Sequence, residues 1–482
     1  MLAFPNANAG TYWAFIKQME LKEPTSHRRF LMLDRRIIAY KHNARLSLGT
    51  VMKHAANPLF EEDKPWEKRL DNLYGNITYD REEGIYKCWY SPFIVAHATA
   101  ERSLNERLKN LYEGHPEQEM GVCYATSSDG IIWNKPNLGL VTYEGESANN
   151  ILSRAVHGSG IFKDDQEPNP ERLYKSISQG MKSSFSADGL NWSVPISING
   201  VESAGDTHNN ALWAPTLEKY VGFTRTWSKT DRQIVGPETK TNHAWGREIA
   251  RIESPDFEDW SQAEVIMRCD PWEQQPYAMP VFFYGGIYIG LIAVHDQLSD
   301  RVWTELAVSE DTKKWERIEQ GTPLIPCSEE PLDYDYGCVY ACASPIFLNN
   351  EIRLYYGGSD WLHFGWRKGC LALATLRPDG FAGYAQERRD EPAKIGTDSF
   401  FTKNGVIKIS TDIEKDGLVS ARLLSPAGDL IKEARLDRSC VDSDLFSSLP
   451  DNEDQYRIEF ELHGAKLYSF TIEDQVPEEK KL

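Results

Sequence analysis

The stretch ATSSDGIIW, residues 125–133, contains the pattern that decides the fold: a serine, an aspartate two residues later and a tryptophan four residues after that. The pattern recurs as Ser186-Asp188-Trp192, Ser254-Asp256-Trp260 and Ser309-Asp311-Trp315. A degenerate fifth copy, RPDGFAGY, has Asp379 in the aspartate position and ends on Tyr384. Successive aspartates are 59, 68, 55 and 68 residues apart, and a motif at such a period indicates a repeat architecture.

Short β-type runs between the motif copies repeat in the same order. A first strand such as YGNITYD (74–80) is followed by a second such as IYKCWYSP (85–92), and a third such as MGVCYATS (120–127) leads into the motif. Ser and Asp side chains close tight turns by bonding nearby backbone N–H groups, and we expect each tryptophan to pack between sheets. Five copies of a sheet of about four strands predict an all-β fold, a five-bladed β-propeller. Residues 31–40 are a candidate for the strand that closes the ring, and an exposed helix is expected over 98–114.

The character of the sequence changes after Tyr384. A charged linker, QERRDEPAK (386–394), leads into alternating runs without another turn motif, which predict a small C-terminal β-sandwich. The predicted divisions are an N-terminal segment at 1–30, the propeller at 31–390 and the sandwich at 395–482.

Composition limits the classes of partner. The 482 residues include 53 Lys and Arg against 72 Asp and Glu, a formal net charge of −19. A surface this acidic repels phosphate backbones and anionic lipid, so neither nucleic acid nor a membrane is an expected partner. No run approaches 18 apolar residues, and the N-terminus lacks a basic flank before an apolar run. We therefore expect a cytoplasmic protein, or an exported one whose signal peptide is absent from this sequence.

The eight cysteines are too sparse for a disulfide scaffold and are interpreted mostly as buried thiols, with one disulfide or a reactive thiol left open. No HExxH, GxSxG, GxGxxG or P-loop motif is present, so no cofactor and no metal site is predicted. A structural Ca²⁺ in the channel is left open, although no local run of ligands indicates one. A homo-oligomer is also left open.

Candidate site residues follow from the geometry of a propeller, whose innermost strands begin at one mouth of the central channel. In GDTHNNALW (205–213), the side chains of Asp206, His208 and Asn209 crowd the start of a strand, which costs desolvation unless they bind something. The other candidates at strand starts are Asp71, Asn72, Arg154, His157, Glu273, Tyr277 and Asp335. Three loop candidates are expected to reach over the mouth: His243, Trp245 and His363.

Structural roles are the alternative for several of these residues. Arg225, which ends KYVGFTR, is either a ligand contact or a buried ion-pair partner, and Asp335 is either a site residue or a turn residue. His157 and His208 are either ligand contacts or satisfied structural groups.

Four stretches resemble a known group of proteins: GNITYDREEGIYKCWY (75–90), YATSSDGIIWNKPNLGLV (124–141), HNNALWAPTLEKYVGFTR (208–225) and LATLRPDGFAGY (373–384). With the five repeats, they resemble the clan of five-bladed glycoside hydrolases, which holds the invertase and fructosidase family and the arabinanase and β-xylosidase family. The likeness is greatest to uncharacterised bacterial glycosyl-hydrolase-like proteins, and it covers about residues 31–390.

The resemblance implies three carboxylates in chain order: Asp71 as base or nucleophile, Asp206 as the residue that holds or tunes the site, and Glu273 as the acid. Glycoside cleavage needs one protonated and one ionised carboxyl group, which fits such a set. The Asn-Asp-Pro-Asn, Arg-Asp-Pro and Glu-Cys motifs of invertases are absent, and Asn72 is an alternative occupant for the place of Asp71.

By analogy, the implied function is hydrolysis of an oligosaccharide or glycoside, with a furanoside such as a fructoside or arabinoside as the leading substrate class. One alternative is a glycoside phosphorylase or transglycosylase. A phosphorylase would need Arg154, Arg225 and His157 to converge on phosphate. The other alternative is a carbohydrate-binding propeller without catalysis.

Overall fold

The computed structural model describes residues 27–229, 245–402, 405–450 and 455–474, which divide between two compact units. The larger unit spans 51–282 and 288–376, and the smaller unit combines 283–287 with the chain before 51 and after 376. Helix in these ranges is limited to the α-helix Leu104–Lys109 and the 3-10 turns Arg35–Ile37, Thr99–Glu101 and Pro170–Arg172. The prediction of an all-β fold is therefore confirmed.

Five four-stranded antiparallel sets make up the larger unit, numbered here as sets 1 to 5. Set 1 comprises Asn76–Asp80, Ile85–Tyr90, Glu119–Ser127 and Ile151–Arg154, with the short strand Phe93–Val95 beside its third strand. Set 2 comprises Gly160–Lys163, Tyr174–Ser178, Lys182–Ser186 and Ile196–Ser197. Set 3 comprises Asn210–Ala214, Lys219–Lys229, Trp245–Ser254 and Glu264–Met267.

Sets 4 and 5 belong to one continuous sheet. Set 4 comprises Gln274–Ala278 with Val281–Tyr284, then Ile287–Asp296, Arg301–Ser309 and Glu316–Ile318. Set 5 comprises Cys338–Ala341 with Ile346–Phe347, then Ile352–Ser359, Gly369–Leu376 and the pair Met52–Lys53 and Phe60–Glu61. A single parallel pairing of Val302 with Cys338 joins the two sets.

Neighbouring sets contact one another in chain order. The first strand of set 2 lies against the first strands of sets 1 and 3, and the first strand of set 4 lies against the second and third strands of set 3. Set 5 then contacts set 1 through Ile346–Phe347 and Asn76–Asp80. The contacts thus run through all five sets and return to the first.

The fourth strand of set 5 comes from residues 52–61, so the suggestion that residues 31–40 close the ring is wrong. Met52–Lys53 and Phe60–Glu61 pair with Gly369–Leu376, whereas Ile38–His42 pairs with Ala393–Thr397 in the smaller unit. The physical reason lies in the apolar run 31–33, whose three side chains are all buried. An outermost strand with one face in solvent would leave part of that run exposed.

The smaller unit contains one ten-stranded sheet. Its strands are His27–Leu31, Ile38–His42, Ala44–Leu48, Ala382–Gln386, Ala393–Thr397, Phe400–Phe401, Val406–Leu424, Leu430–Leu436, Cys440–Phe446 and Gln455–Glu473. The 19-residue strand Gln455–Glu473 pairs with five of the others, and its side chains Phe460 and Phe470 lie in the core. Strands 38–42 and 44–48, which the sequence analysis placed in the propeller, belong to this sheet.

The serine–aspartate motif closes turns as predicted. In all four complete copies the aspartate Oδ1 accepts the backbone N–H groups two and three residues later. The tryptophans pack against neighbouring aromatic or apolar side chains; Trp315, for example, meets Phe223 of set 3 edge-on at 5.9 Å. The structural interpretation of the motif is confirmed.

Replacing Asp188 by alanine is expected to lower the free energy of unfolding by about 1–2 kcal/mol, because the amides of Leu190 and Asn191 lose their acceptor. Urea denaturation of the wild type and the variant measures the loss. Asp165→Ala, an exposed substitution in set 2, is the control. Equal stability of Asp188→Ala and the wild type would contradict the assigned role.

Candidate active site

Polar side chains from strands of the larger unit and from the segments before them contact one another. We call this group the central cluster. Its members are Asp71, Asn72, Tyr74, His157, Asp206, His208, Arg225, Arg247, Gln275, Tyr277, His295, Asp300, Cys338, Tyr340, His363 and Arg367. Most of these side chains are buried, so their charges and hydrogen bonds act in a low-dielectric environment.

Asp71 lies between two arginines. Its Oδ1 accepts hydrogen bonds from Arg367 at 2.7 Å and from Arg69 at 2.9 Å. Burial acts to raise its pKa, but the guanidinium charges of Arg367 and Arg69 prevail and lower the pKa of Asp71 to about 2. Asp71 is therefore ionised at neutral pH, and its charge is held by two fixed cations.

The backbone around Asp71 is strained. Asp71, Leu73 and Tyr74 have φ values of +46°, +62° and +45°, in the left-handed region that costs non-glycine residues roughly 1–2 kcal/mol each. Such strain persists only where the surroundings impose it, and it concentrates at functional sites. Here it accompanies the placement of Asp71, Asn72 and Tyr74 in one cluster.

Asp206 is more accessible, with 48 % of its side chain exposed. Its Oδ1 lies 3.1 Å from His157 Nε2, and its Oδ2 lies 3.6 Å from Arg225. The hydrogen bond with His157 lowers the pKa of Asp206 against the opposing effect of burial, and the Arg225 charge adds to the lowering. The cluster thus presents an ionised carboxylate to solvent.

Asn72 connects the surroundings of the two aspartates. Its Oδ1 accepts from Arg367, the partner of Asp71, at 2.9 Å. Its Nδ2 donates to the hydroxyl groups of Tyr74 at 2.9 Å and Tyr277 at 3.1 Å. The backbone carbonyl of Tyr277 accepts from Arg225 at 2.7 Å, so Tyr277 is bonded at its hydroxyl end by Asn72 and at its backbone by the arginine beside Asp206.

A hydrogen-bonded path joins Arg247, His295 and Asp300. Arg247 Nη1 lies 3.3 Å from His295 Nδ1, and His295 Nε2 lies 3.0 Å from Asp300 Oδ1. A guanidinium only donates, so Nδ1 accepts and Nε2 carries the proton that bonds Asp300. Burial lowers the pKa of His295 to about 4, which keeps this imidazole neutral at pH 7.

Asp300 also holds the loop that carries His363. Its Oδ2 accepts the Phe364 N–H, and its carbonyl accepts the His363 N–H, both at 2.9 Å. His363 Nδ1 in turn lies 3.1 Å from the Tyr340 hydroxyl. A cavity of about 240 Å³ opens beside this loop, lined by Arg69, Asp71, Phe93, Tyr112, Gly114, Gln118, His363, Phe364 and Arg367.

The structure brings together eight of the predicted site residues: Asp71, Asn72, His157, Asp206, His208, Arg225, Tyr277 and His363. Asn209 lies next to the cluster but has a structural environment, because its Nδ2 donates to the carbonyls of Gly158, Gly205 and Thr207. His243 and the side chain of Trp245 lie outside the described residues.

Arg154 was placed wrongly. It ends Ile151–Arg154, the outermost strand of set 1, instead of beginning the first strand of set 2. Its guanidinium is 41 % exposed and pairs with Glu119 at 2.5 Å. The prediction was wrong because Ile151–Arg154 of set 1 and Gly160–Lys163 of set 2 follow each other closely in the chain, and the sequence pattern does not separate these two strands.

Asp335 and Glu273 do not join the cluster by any contact among the described residues. Asp335 lies in a turn before the first strand of set 5, which is the structural alternative named above. It is fully buried, with Lys53 at 2.6 Å and the Tyr356 hydroxyl at 2.8 Å. Glu273 precedes the strand that carries Gln275 and Tyr277 and is partly buried. Two residues along, Gln275 supplies the polar group that contacts Arg247.

Eight members of the central cluster were not predicted from the sequence: Tyr74, Arg247, Gln275, His295, Asp300, Cys338, Tyr340 and Arg367. Arg247 lies inside a strand and His295 directly follows the apolar run IYIGLIAV (287–294), so a polar residue directed inward from an apolar strand was the available signal. Arg367 belongs to the segment between two strands of set 5, and nothing in its local sequence distinguishes it from a surface arginine.

Three buried histidines should make the protein acid-sensitive. Burial lowers the pKa of His208 to about 3, of His295 to about 4, and of His363 well below its usual value. Below pH 6.5 these histidines become protonated in the unfolded chain but stay neutral in the folded chain. Each histidine therefore contributes stability that is complete above pH 6.5 and is lost as the pH falls toward its folded pKa, by at most about 1.4 kcal/mol per pH unit.

We expect His208→Gln to lose about 1 kcal/mol less free energy of unfolding than the wild type between pH 7.5 and pH 5.5. Urea denaturation at both pH values measures the difference, which is independent of any constant loss from the substitution itself. His42→Gln, with a side chain 63 % exposed, is the control. Parallel pH profiles of wild type and His208→Gln would refute the assignment.

Two further properties of the described ranges bear on the site. No group of three or more His, Cys, Asp and Glu side chains there is arranged to hold a metal ion. None of the helices described is long and apolar enough to cross a membrane.

Comparisons with known proteins give distant similarities of fold only. No family model matches the sequence, and no curated protein matches it. A β-1,2-mannobiose phosphorylase from Listeria innocua, solved with β-1,2-mannobiose, is 13 % identical with a TM-score of 0.43, over 68 % of this chain and 97 % of that one. A family 43 arabinoxylan arabinofuranohydrolase from Bacillus subtilis is 11 % identical with a TM-score of 0.40, over 88 % and 99 %. A fructofuranosidase from Schwanniomyces occidentalis, complexed with fructosylnystose, is 9 % identical with the same TM-score and coverage. At these values the similarities assign no function to this chain.

Proposed function

We propose that this protein is an enzyme that cleaves glycosidic bonds and that the central cluster is its active site. The observation that carries the proposal is that two ionised carboxylates from different sets, Asp71 and Asp206, belong to one cluster of mostly buried polar side chains. The residues between them are Arg367, Asn72, Tyr277 and Arg225. We further propose that the five sets are the blades of a five-bladed β-propeller of the glycoside hydrolase clan, that the smaller unit is a β-sandwich, and that the substrate is a furanoside such as a fructoside or arabinoside.

The environments of the two aspartates favour an exchange of the roles that the resemblance implies. Asp206 is half-exposed and accepts from an imidazole, so it is the better base or nucleophile. Asp71 is bound by Arg69 and Arg367, which makes it a weak base and a source of fixed negative charge. Both groups are ionised at neutral pH, so the proton for the leaving oxygen must come from elsewhere.

Glu273 is the proposed donor of that proton, from its place before the strand that carries Gln275 and Tyr277. Glu62 is the alternative donor. Burial raises the pKa of Glu62 to about 7, against the hydrogen bonds from the Gly369 and Leu70 amides, so this carboxyl group is partly protonated at neutral pH. Glu273→Gln and Glu62→Gln distinguish the two by which of them removes the basic limb of the pH–rate profile.

A glycoside phosphorylase is the second candidate. Of the three residues that it was predicted to need, Arg225 and His157 meet at Asp206, and Arg154 does not. Arg247 is an additional cation in the cluster, on the strand next to that of Arg225. The positive charges of Arg225 and Arg247 therefore favour phosphate as a co-substrate, and the assay must include it.

The test is product release from a panel of furanosides and pyranosides by the wild type, with and without inorganic phosphate. Release of free sugar from a furanoside supports the hydrolase, and phosphate-dependent release of a sugar phosphate supports the phosphorylase. Binding of an oligosaccharide without turnover of any panel member would replace both with a carbohydrate-binding protein.

A further inference from the structure

Two arginines of the central cluster share one aromatic ring. Arg225 and Arg247 lie on the paired strands Lys219–Lys229 and Trp245–Ser254 of set 3. Their guanidinium carbons are 4.2 Å and 4.7 Å from the centroid of the Tyr277 ring. Arg225 is 1 % exposed and Arg247 is 8 % exposed, so two like charges are held together away from water. Such an arrangement is unfavourable unless negative charge compensates for it.

Protein carboxylates provide only part of that compensation. Asp206 lies 3.6 Å from Arg225 and is itself half-exposed. Arg247 has no ion pair among the described residues, and its Nη1 bonds only Gln275 Oε1 at 2.8 Å and the neutral imidazole of His295 at 3.3 Å. Burial and then the charge of Arg225 lower the pKa of Arg247, as expected for an uncompensated cation.

Unused donors accompany the excess charge. Arg225 Nε, Arg247 Nε and Gln275 Nε2 are buried and find no acceptor among the described residues. A buried donor without a partner costs about 1–3 kcal/mol. These three donors belong to one group, because both arginines stack on the Tyr277 ring and Gln275 bonds Arg247, so one oxyanion can accept from all of them. Guanidinium groups favour planar or tetrahedral oxyanions, which accept several N–H bonds at once.

We propose that Arg225, Arg247 and Gln275 form an oxyanion-binding subsite of the central cluster. Its ligand is a carboxylate or phosphate group, supplied either by an acidic sugar in the substrate or by free phosphate. The proposal deepens the proposed function and rests on it for the link to catalysis, but the binding itself is measurable without turnover.

The binding test is calorimetric titration of the full chain with inorganic phosphate and, separately, with glucuronate, at pH 7.5 and constant ionic strength. One site per chain is expected for at least one of the two ligands, and the stronger of them identifies the source of the anion. Arg247→Met should weaken that binding by tenfold or more. Arg268→Met removes the same charge from a side chain 69 % exposed and should leave the affinity within twofold of the wild type.

Thermal denaturation measures the effect of the uncompensated charge on stability, separately from the affinity for the anion. Without anions, Arg247→Met should melt at or above the wild-type temperature, because a buried charge without a counter-ion is removed. The matched control is Arg251→Met on the same strand. Arg251 is 2 % exposed but bonds Glu253 and Thr312, so its loss should lower the melting temperature. The bound anion should raise the melting temperature of the wild type and not that of Arg247→Met.

Saturable binding to the wild type that Arg247→Met abolishes supports the subsite even if every glycoside of the panel remains intact. The inference is overturned if neither anion binds, if Arg247→Met binds as well as the wild type, or if Arg247→Met is destabilised as strongly as Arg251→Met in anion-free buffer. Turnover of a neutral furanoside without anion binding would overturn the subsite and retain the proposed function.

Discussion

Replacement of Asp206 by asparagine is expected to reduce turnover of the glycoside substrate by about 10³-fold or more. Asp206 is the half-exposed carboxylate of the central cluster, and His157 and Arg225 keep it ionised. Asparagine retains the shape and an oxygen for the His157 contact but has no charge to attack the anomeric carbon or to activate water. Initial rates on the best substrate of the panel measure the effect.

Glu202→Gln is the matched control for Asp206→Asn. Glu202 is exposed, lies four residues earlier in the chain and carries the same charge, so its loss should change the rate less than twofold. Circular dichroism and a urea curve establish that both variants are folded. A rate for Asp206→Asn within tenfold of the wild type would remove Asp206 from the catalytic set.

The second large effect concerns stability. Arg367→Met should lower the free energy of unfolding by about 3–5 kcal/mol, the usual result of removing one partner of a buried ion pair. Arg367 is 1 % exposed and donates to Asp71 Oδ1, Asn72 Oδ1 and Cys338 Sγ. Methionine fills much of the volume, so most of the loss reflects the Asp71 carboxylate left with Arg69 alone.

A double-variant cycle separates charge from packing. If the lost pairing dominates, Asp71→Asn combined with Arg367→Met should be more stable than the sum of the two single losses predicts. Arg81→Met, in an exposed turn of set 1, controls for the loss of one positive charge. A loss below 1 kcal/mol for Arg367→Met in urea would show that the contacts with Asp71 and Asn72 contribute little.

The repeated turn motif made the fold accessible from sequence, because Ser–Asp turns are local. Each aspartate accepts amides two and three residues away, so the same residues that close the turn also reveal it in the sequence. The all-β class and the strand order within sets 1 to 3 followed from it. Residues 31–40 were wrongly suggested as the closing strand, and residues 52–61 were assigned no strand, because their strand partners lie more than 300 residues away, where no local pattern distinguishes them.

The candidate site was predictable where its residues begin first strands. Asp71, His157 and Asp206 all precede such strands, and the structure gathers them. Arg247 and His295 were not predicted because they lie within third and second strands, where the sequence does not show which polar side chains face the cluster. Whether a buried arginine has a counter-ion depends on tertiary contacts, and that information is absent from any short stretch of sequence.

The strand at residues 52–61 bears on how the chain folds during synthesis. Glu62 Oε1 accepts the Gly369 amide, a contact between residues 307 positions apart, and Phe60 and Glu61 pair with the same strand of set 5. During synthesis, residues 52–61 cannot pair with Gly369–Leu376 until nearly the whole larger unit has left the ribosome. Completion of the last sheet therefore unites the two ends of that unit. Such late, long-range closure predicts slow, highly cooperative folding, in which truncation at either end disrupts the same sheet.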